Sequence, residues 1–247
     1  MLRPISTIGD YVLLMRRVLT KPQKGKLFWQ QLLFEIDQLG VDSLGIVAFI
    51  SLFMGAVVAI QTAYNIDNPF IPMSMVGWTT RQSIILEFSP TVMSLILAGK
   101  VGSRIASQIG TMRVTEQIDA LEIMGVNSAN YLILPKIVAS VLINPVLIVF
   151  SMWLGIIGGG AAMVFSKLVS MNDYLHGIRI DFQAYIIFYA LTKTLCFAFI
   201  IASVSGFFGY RTEGGALEVG QASTKAVVVS SIVVILFNLL LTQLLLG

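Results

Sequence analysis

The chain has 247 residues, 56% of them hydrophobic and 12% charged, with 16 basic and 13 acidic side chains and a formal charge of +3. Soluble domains carry about 25% charged residues, so the balance points to lipid as the solvent and away from a soluble, water-covered domain. The single cysteine, Cys196, and the single histidine, His176, allow no internal disulfide and no Cys/His metal cluster.

Residues 1–43 read as a segment preceding the transmembrane region, residues 44–247, of a single membrane domain. The first apolar run, residues 11–15, is short and is followed at once by Arg16 and Arg17, so no cleavable signal is expected. Within residues 26–40, Phe28, Leu32, Ile36 and Leu39 recur at helical spacing. Gln30, Gln31, Glu35, Asp37 and Gln38 fill the rest of the wheel. This pattern predicts an amphipathic helix, lying on the membrane surface or packed on protein.

A hydrocarbon core of roughly 30 Å is crossed by about 20 residues rising about 1.5 Å each. Five spans are read on that basis: residues 44–64; residues 84–97, charged only at Glu87; residues 137–166; residues 184–210, charged only at Lys193; and residues 226–246. The fold class expected is therefore an all-α integral membrane protein of about five transmembrane helices, preceded by an interfacial helix. Asn144 and Pro145 fall inside the third span, where proline removes a backbone donor and favours a bend.

Between the spans, residues 65–81 contain the turn formers Asn68, Pro69 and Pro72 and read as a short connection. Residues 167–183 read as a loop in which His176 is a solvated side chain. Residues 99–136 are polar, and residues 111–124 predict a short amphipathic helix: Met112, Ile118, Leu121 and Met124 are apolar, while Arg113, Glu116, Gln117, Asp119 and Glu122 are polar. Gly110 and Gly125 bracket it. Twelve Lys and Arg residues fall in the segments on the N-terminal side of the membrane, and only Arg81, Lys167 and Arg179 on the other. The positive-inside rule then predicts a cytoplasmic N-terminus and, after five crossings, an external C-terminus. The excess of positive charge is a topology signal and implies no nucleic-acid partner.

The same polar stretch resembles the MlaE/YrbE family of permeases, which work with MCE-domain proteins to move phospholipids between bacterial membranes. The likeness rests on Ala98-Gly99-Lys100-Val101-Gly102, on QIGTMRVTEQIDAL at residues 108–121, and on Met124-Gly125-Val126. Gly55-Ala56-Val57-Val58-Ala59-Ile60-Gln61, Glu87-Phe88-Ser89-Pro90 and Gly209-Tyr210 extend it. The chain departs from the family pattern at Leu86, where arginine is usual, and at Asn127-Ser128, where Asp-Pro is usual.

The resemblance implies a homodimer in the bacterial inner membrane, with a periplasmic C-terminus and a role in outer-membrane lipid asymmetry. It also implies two cytoplasmic ABC ATPase subunits on the helix of residues 111–124, and periplasmic MCE partners. The docking residues would be Met112, Arg113, Thr115, Glu116, Gln117, Asp119, Leu121 and Met124. The chain lacks G-x-x-x-x-G-K-[ST], so ATP is expected on the partner subunit, with no cofactor or metal and no catalytic residue here.

Ionisable groups inside a membrane are functional candidates by default. Glu87 and Lys193 lie roughly 22 and 25 Å from the Gly102 and Tyr210 ends of their spans at about 1.5 Å per residue. They are expected in one layer, paired or lining a wet cavity for a zwitterionic phospholipid headgroup. The alternative is that each reaches an interface or subunit contact. Gln61 and Tyr64 are candidates for lining the same cavity, with Leu52, Phe53 and Val57 against acyl chains or simply packed. Gly155 and Gly159 form a small-xxx-small pattern suited to close helix approach. An alternative function is a proton-coupled secondary transporter of a lipophilic substrate using Glu87. No inverted repeat is visible to support it, and an intramembrane enzyme lacks a clustered nucleophile and base.

Overall fold

In the computed structural model, residues 3–20, 25–66 and 70–246 are described, and among them every regular element is helical. In chain order these are α1 (Arg3–Val18), α2 (Gly25–Ile36), α3 (Asp42–Asn65), α4 (Ser74–Ser83), α5 (Met93–Leu97), α6 (Ser103–Val114), α7 (Gln117–Ile123), α8 (Ser128–Ser166), α9 (Met171–Arg179), α10 (Ala184–Tyr210) and α11 (Ala216–Leu246). π-helical stretches Asp37–Val41, Ile84–Val92 and Ala98–Gly102 join α2 to α3 and α4 through α5 to α6. Among the described residues five helical runs are long and apolar enough to cross a membrane: Gly25–Asn65, Ser74–Val114, Ser128–Ser166, Ala184–Tyr210 and Ala216–Leu245. The protein is a multi-pass membrane protein.

These runs outlast the apolar segments seen in the sequence. A 41-residue run rises about 60 Å at about 1.5 Å per residue, twice the hydrocarbon thickness. The second run starts at Ser74, so Arg81 is inside a helix and not in the connection where its charge had placed it. Lys136 is likewise in α8, not in a loop. Residues 167–183 contain α9, whose N-cap Ser170 accepts from the Asp173 amide at 3.1 Å and donates to its carboxylate at 2.7 Å. The fifth run begins ten residues before the expected span. Pro145 sits within a continuous α8, whereas Pro90 sits in the π-helical stretch, whose wider turn suits a residue without an amide donor. The expected turn at Asn68 and Pro69, and the basic residues Lys21 and Lys24, lie outside the described residues. Helix α1 was not foreseen.

The chain forms two compact units. One comprises the described residues up to Asp42, Leu95–Ile143 and Cys196–Leu240. In it α1 buries Leu14, Met15 and Val18, stacks Tyr11 edge-on to Phe207 at 5.6 Å, and donates the Tyr11 hydroxyl to Ser203 at 2.8 Å. Asn130 caps its end, its amide donating to the carbonyls of Val18 and Thr20 at 2.7 and 2.6 Å. Of the four apolar positions expected to share one face of the amphipathic helix, Leu32 in α2 and Leu39 in the π-helical stretch after it are buried, while Phe28 and Ile36 are half-buried. Glu35, assigned to its polar side, is buried too, because it pairs with the buried Lys136. Lys136 also donates to Gln108 at 2.7 Å. Two charges removed from water persist only when paired and hydrogen-bonded.

The other unit comprises Ser43–Ser94, Asn144–Leu195 and residues from Leu241 on. Here α3 and α8 approach backbone to backbone: a Cβ on Gly55 would stand 1.9 Å from the Gly155 carbonyl oxygen. Small residues permit this contact, and dispersion between the close helices holds it. Ser51 donates to Ser151 at 2.8 Å and Ser151 to Ser89 at 3.1 Å, a hydroxyl chain that fixes the three helices in register. Helices α4 and α9 approach through Gly77 and Gly177, and Ala59, Val76, Met163, Val169 and Tyr174 form the adjoining core. Tyr174 donates to the Ile156 carbonyl at 3.0 Å, and burial pushes its phenol well above the usual range.

Candidate functional site

Glu87 lies in the π-helical stretch Ile84–Val92 and Lys193 on α10. Lys193 Nζ donates to Glu87 Oε1 at 2.7 Å. The Lys193 side chain is 0% exposed and that of Glu87 44%. The ammonium also stands 4.5 Å from the centre of the Tyr189 ring, one helical turn back on α10. The Tyr189 hydroxyl reaches Glu87 Oε1 at 3.4 Å and Thr242 at 3.1 Å, and Thr91 donates to Glu87 Oε2 at 3.0 Å. The two intramembrane charges thus share one layer and are paired. The cluster can hold a carboxylate in an apolar span and still present part of it outward.

Thr91 and Tyr189 had not been singled out, although each stands four residues from a charged member on one helix, the spacing that brings side chains together. Thr242 carries no such signal. Gln61 and Tyr64 do not contribute to the hydrogen bonds of this cluster. Together with Leu52, Phe53 and Val57 they lie exposed on α3, and Phe49 stacks on Phe53 at 4.7 Å along the same helix. That face is apolar at one end and polar at Gln61 and Tyr64.

The segment 111–124 is not one helix. α6 runs to Val114, Thr115 ends it, and Glu116 takes a left-handed conformation with φ of 59° before α7 begins at Gln117. Met112 and Arg113 therefore belong to α6, whereas Gln117, Asp119 and Leu121 belong to α7. The two are braced by the Arg113–Asp119 ion pair at 2.6 Å and by Gln117, which donates to the Thr115 hydroxyl at 3.0 Å. Ile118 is fully buried, while Ile123 is 88% and Met124 68% exposed. Glu122 Oε1 accepts from Ser128 and from Tyr210, each at 2.9 Å. These two bonds, in that order, with Arg113 and Arg17 nearby, hold its carboxyl below the usual carboxylate range. Glu122, Ser128 and Tyr210 were not foreseen as a group, since they lie on three elements.

A cleft of about 450 Å³ opens beside Asp10, Arg211, Glu213 and Lys225 and includes none of the lipid-binding candidates. Among the described residues no group of His, Cys, Asp and Glu is arranged to hold a metal ion.

Residues 32–244 match the family model for the permease MlaE. A probable ABC transporter permease protein of Rickettsia bellii is 33% identical over 98% of this chain and 93% of its own length. The intermembrane phospholipid transport system permease protein MlaE of Haemophilus influenzae is 32% identical over 92% of this chain and 87% of its own. The chloroplastic protein TRIGALACTOSYLDIACYLGLYCEROL 1 of Arabidopsis thaliana is 30% identical over 92% of this chain and 65% of its own. With five apolar helical runs, a charged pair held between them and this similarity along almost its whole length, the chain belongs to the MlaE family of ABC transporter permeases.

Proposed function

We propose that this chain is the membrane subunit of an ABC system that moves phospholipids between the bacterial inner membrane and periplasmic MCE-domain proteins, acting as a homodimer with two cytoplasmic ATPase subunits. Its N-terminus is cytoplasmic and its C-terminus periplasmic, and residues 1–247 serve as one permease domain. The observation that carries the reading is a half-exposed Glu87 carboxylate held on a fully buried Lys193 inside apolar spans, in a chain with the family's sequence. An anionic group so placed attracts the ammonium of a zwitterionic headgroup, while Gln61 and Tyr64 supply hydrogen bonds. Leu52, Phe53 and Val57 offer acyl chains an apolar face.

ATP is bound and hydrolysed by the partner, which docks on residues 111–124. Exposed Met124 and the polar side chains of Thr115, Glu116 and Gln117 supply a mixed surface of the kind a partner's cleft takes up. The chain and its genomic neighbours, expressed together and purified in mild detergent, test this. Mass spectrometry is expected to find an ATPase, an MCE-domain protein and stoichiometric phospholipid. A chain that purifies with none of them, and that moves a lipophilic substrate along a proton gradient, would establish the secondary transporter instead.

A further inference from the structure

Glu122 lies on α7, Ser128 opens α8 and Tyr210 closes α10. Their oxygens form a triangle: 2.9 Å from Ser128 to Glu122, 2.9 Å from Tyr210 to Glu122, and 2.7 Å between the two hydroxyls. We propose that this triangle is the joint through which α7 is mechanically tied to the spans, and that Tyr210 is the positioning residue that couples α7 to α10. This rests on the reading of residues 111–124 as the docking segment for the ATPase.

The case begins with the weakness of α7 alone. Seven residues, about two turns, do not hold a helix in water without tertiary support. The chain turns sharply at both ends of α7, at the left-handed Glu116 before it and at Gly125, with φ of +74°, after it. Side-chain contacts hold it, beginning with Gln117, which donates to the Thr115 hydroxyl at 3.0 Å. Ile118 is buried, Asp119 pairs with Arg113 on α6, and Glu122 is held by Ser128 and Tyr210. Gln117, Ile118 and Asp119 lie at the start of α7. Among the described residues, the triangle is the side-chain contact that ties its far end, next to exposed Ile123 and Met124, to two other spans at once.

The chemistry makes Glu122 the centre of the joint. An ionised carboxylate accepts both hydroxyl protons, and such charge-assisted bonds are about twice as strong as neutral ones. Without the carboxylate the two hydroxyls would bond only to each other and release α7. Without the Tyr210 hydroxyl, α7 stays attached to α8 but is uncoupled from α10. A push on Ile123 or Met124 then moves α7 while leaving α10 behind.

The test uses the complex of the full chain with its ATPase in liposomes carrying a fluorescent phospholipid. ATP hydrolysed and lipid moved are read in the same samples, and amide exchange is read over residues 117–123. Tyr210→Phe keeps the ring and its packing and removes one oxygen. It is expected to assemble, to hydrolyse ATP within about twofold of the parent, and to move about tenfold less lipid per ATP, the scale set by one lost hydrogen bond to a charged group. Exchange over residues 117–123 is expected to rise. Ser128→Ala, which leaves the Glu122–Tyr210 bond, retains more of the coupling. An unchanged ratio of lipid to ATP in Tyr210→Phe overturns the joint. Should that variant not assemble, Glu122→Gln, altered at an exposed side chain, is read the same way. If the parent complex hydrolyses ATP but moves no lipid, the transport reading fails by itself; the joint is then judged by exchange alone, and protection of residues 117–123 that Tyr210→Phe leaves intact overturns it.

Discussion

Lys193 and Glu87 meet at 2.7 Å from opposite surroundings, the ammonium fully enclosed and the carboxylate almost half exposed. The pair is therefore asymmetric. Lys193 depends on Glu87, because Tyr189 offers it only a ring face. Glu87 has Thr91 and Tyr189 as further donors and has access to its surroundings.

That asymmetry gives the first prediction. Glu87→Gln leaves an enclosed ammonium without its counter-charge and is expected to cost about 3 kcal/mol, in the range for breaking a buried pair from one side. Lys193→Met leaves a partly exposed, hydrogen-bonded carboxylate and should cost less than half as much. The double variant should recover part of the Glu87→Gln loss. Thermal melts in nanodiscs decide this, and equal losses for the two single variants would show that the exposure difference has no energetic weight.

Arg81 is 1% exposed and donates to the carbonyls of Ile178 and Ile180 at 2.6 and 2.8 Å and of Asp181 at 3.3 Å. Ile178 is in the last turn of α9 and Ile180 and Asp181 follow it, so the guanidinium closes the end of that helix onto α4. Lysine carries the same charge, but its single nitrogen cannot occupy both Nη1, which serves Ile178 and Ile180, and Nη2, which serves Asp181. Arg81→Lys is expected to cost about 2 kcal/mol and to raise amide exchange over residues 171–182 more than elsewhere. Uniform exchange changes across the chain would contradict a local clasp.

What the sequence made legible follows from how each signal is written along the chain. Uncharged runs located the five spans. The depth of Glu87 and Lys193 within theirs placed the two in one layer, because helical rise converts residue number into distance. Arg81, Lys136 and Glu35 could not be placed that way. Arg81 and Lys136 read as the edges of connections and Glu35 as the polar side of an amphipathic helix, because the partner that permits burial of a charge is far off in sequence, as Glu35 and Lys136 are at a separation of 101 residues. The break between α6 and α7 was equally hidden, since it depends on a left-handed Glu116 where a sequence gives notice of such turns through Gly or Asn. Spans also ran past their apolar cores because tertiary contacts, such as Ser223 donating to the Ser103 carbonyl at 3.1 Å, support helix where hydropathy has ended.

A pH dependence follows at Glu122. Its ordinary value is 4.5, and the Ser128 and Tyr210 hydroxyls, with Arg113 and Arg17, lower it in the folded protein. A depressed carboxyl contributes stability that is fully present above the ordinary value and is lost as pH falls through the folded one. Protection of residues 117–123, corrected for intrinsic exchange, should therefore hold at neutral pH and fall only below about 4.5. Glu122→Gln should show weaker protection throughout and no such step. A step that survives in Glu122→Gln would have to come from another group, Asp119 being the nearest on α7.

Asn144 supplies a prediction in which stability and function part. It is 1% exposed within α8, and among the described residues neither its Nδ2 nor its Oδ1 has a hydrogen-bond partner. An unpaired buried amide costs about 1–3 kcal/mol, and replacing it with an apolar group of similar shape is neutral or stabilising. Asn144→Leu is therefore expected to melt no lower than the parent, and by this reckoning higher by about 1 kcal/mol. A polar side chain kept at such a cost inside a span is a functional candidate, so lipid transfer by the same variant should fall. Melting and transfer measured side by side separate the cases. A stabilised variant with full transfer would make Asn144 a packing residue without a role in the pathway, whereas a destabilised one would mean that the amide is satisfied in the membrane and the orphaned atoms are not a cost at all.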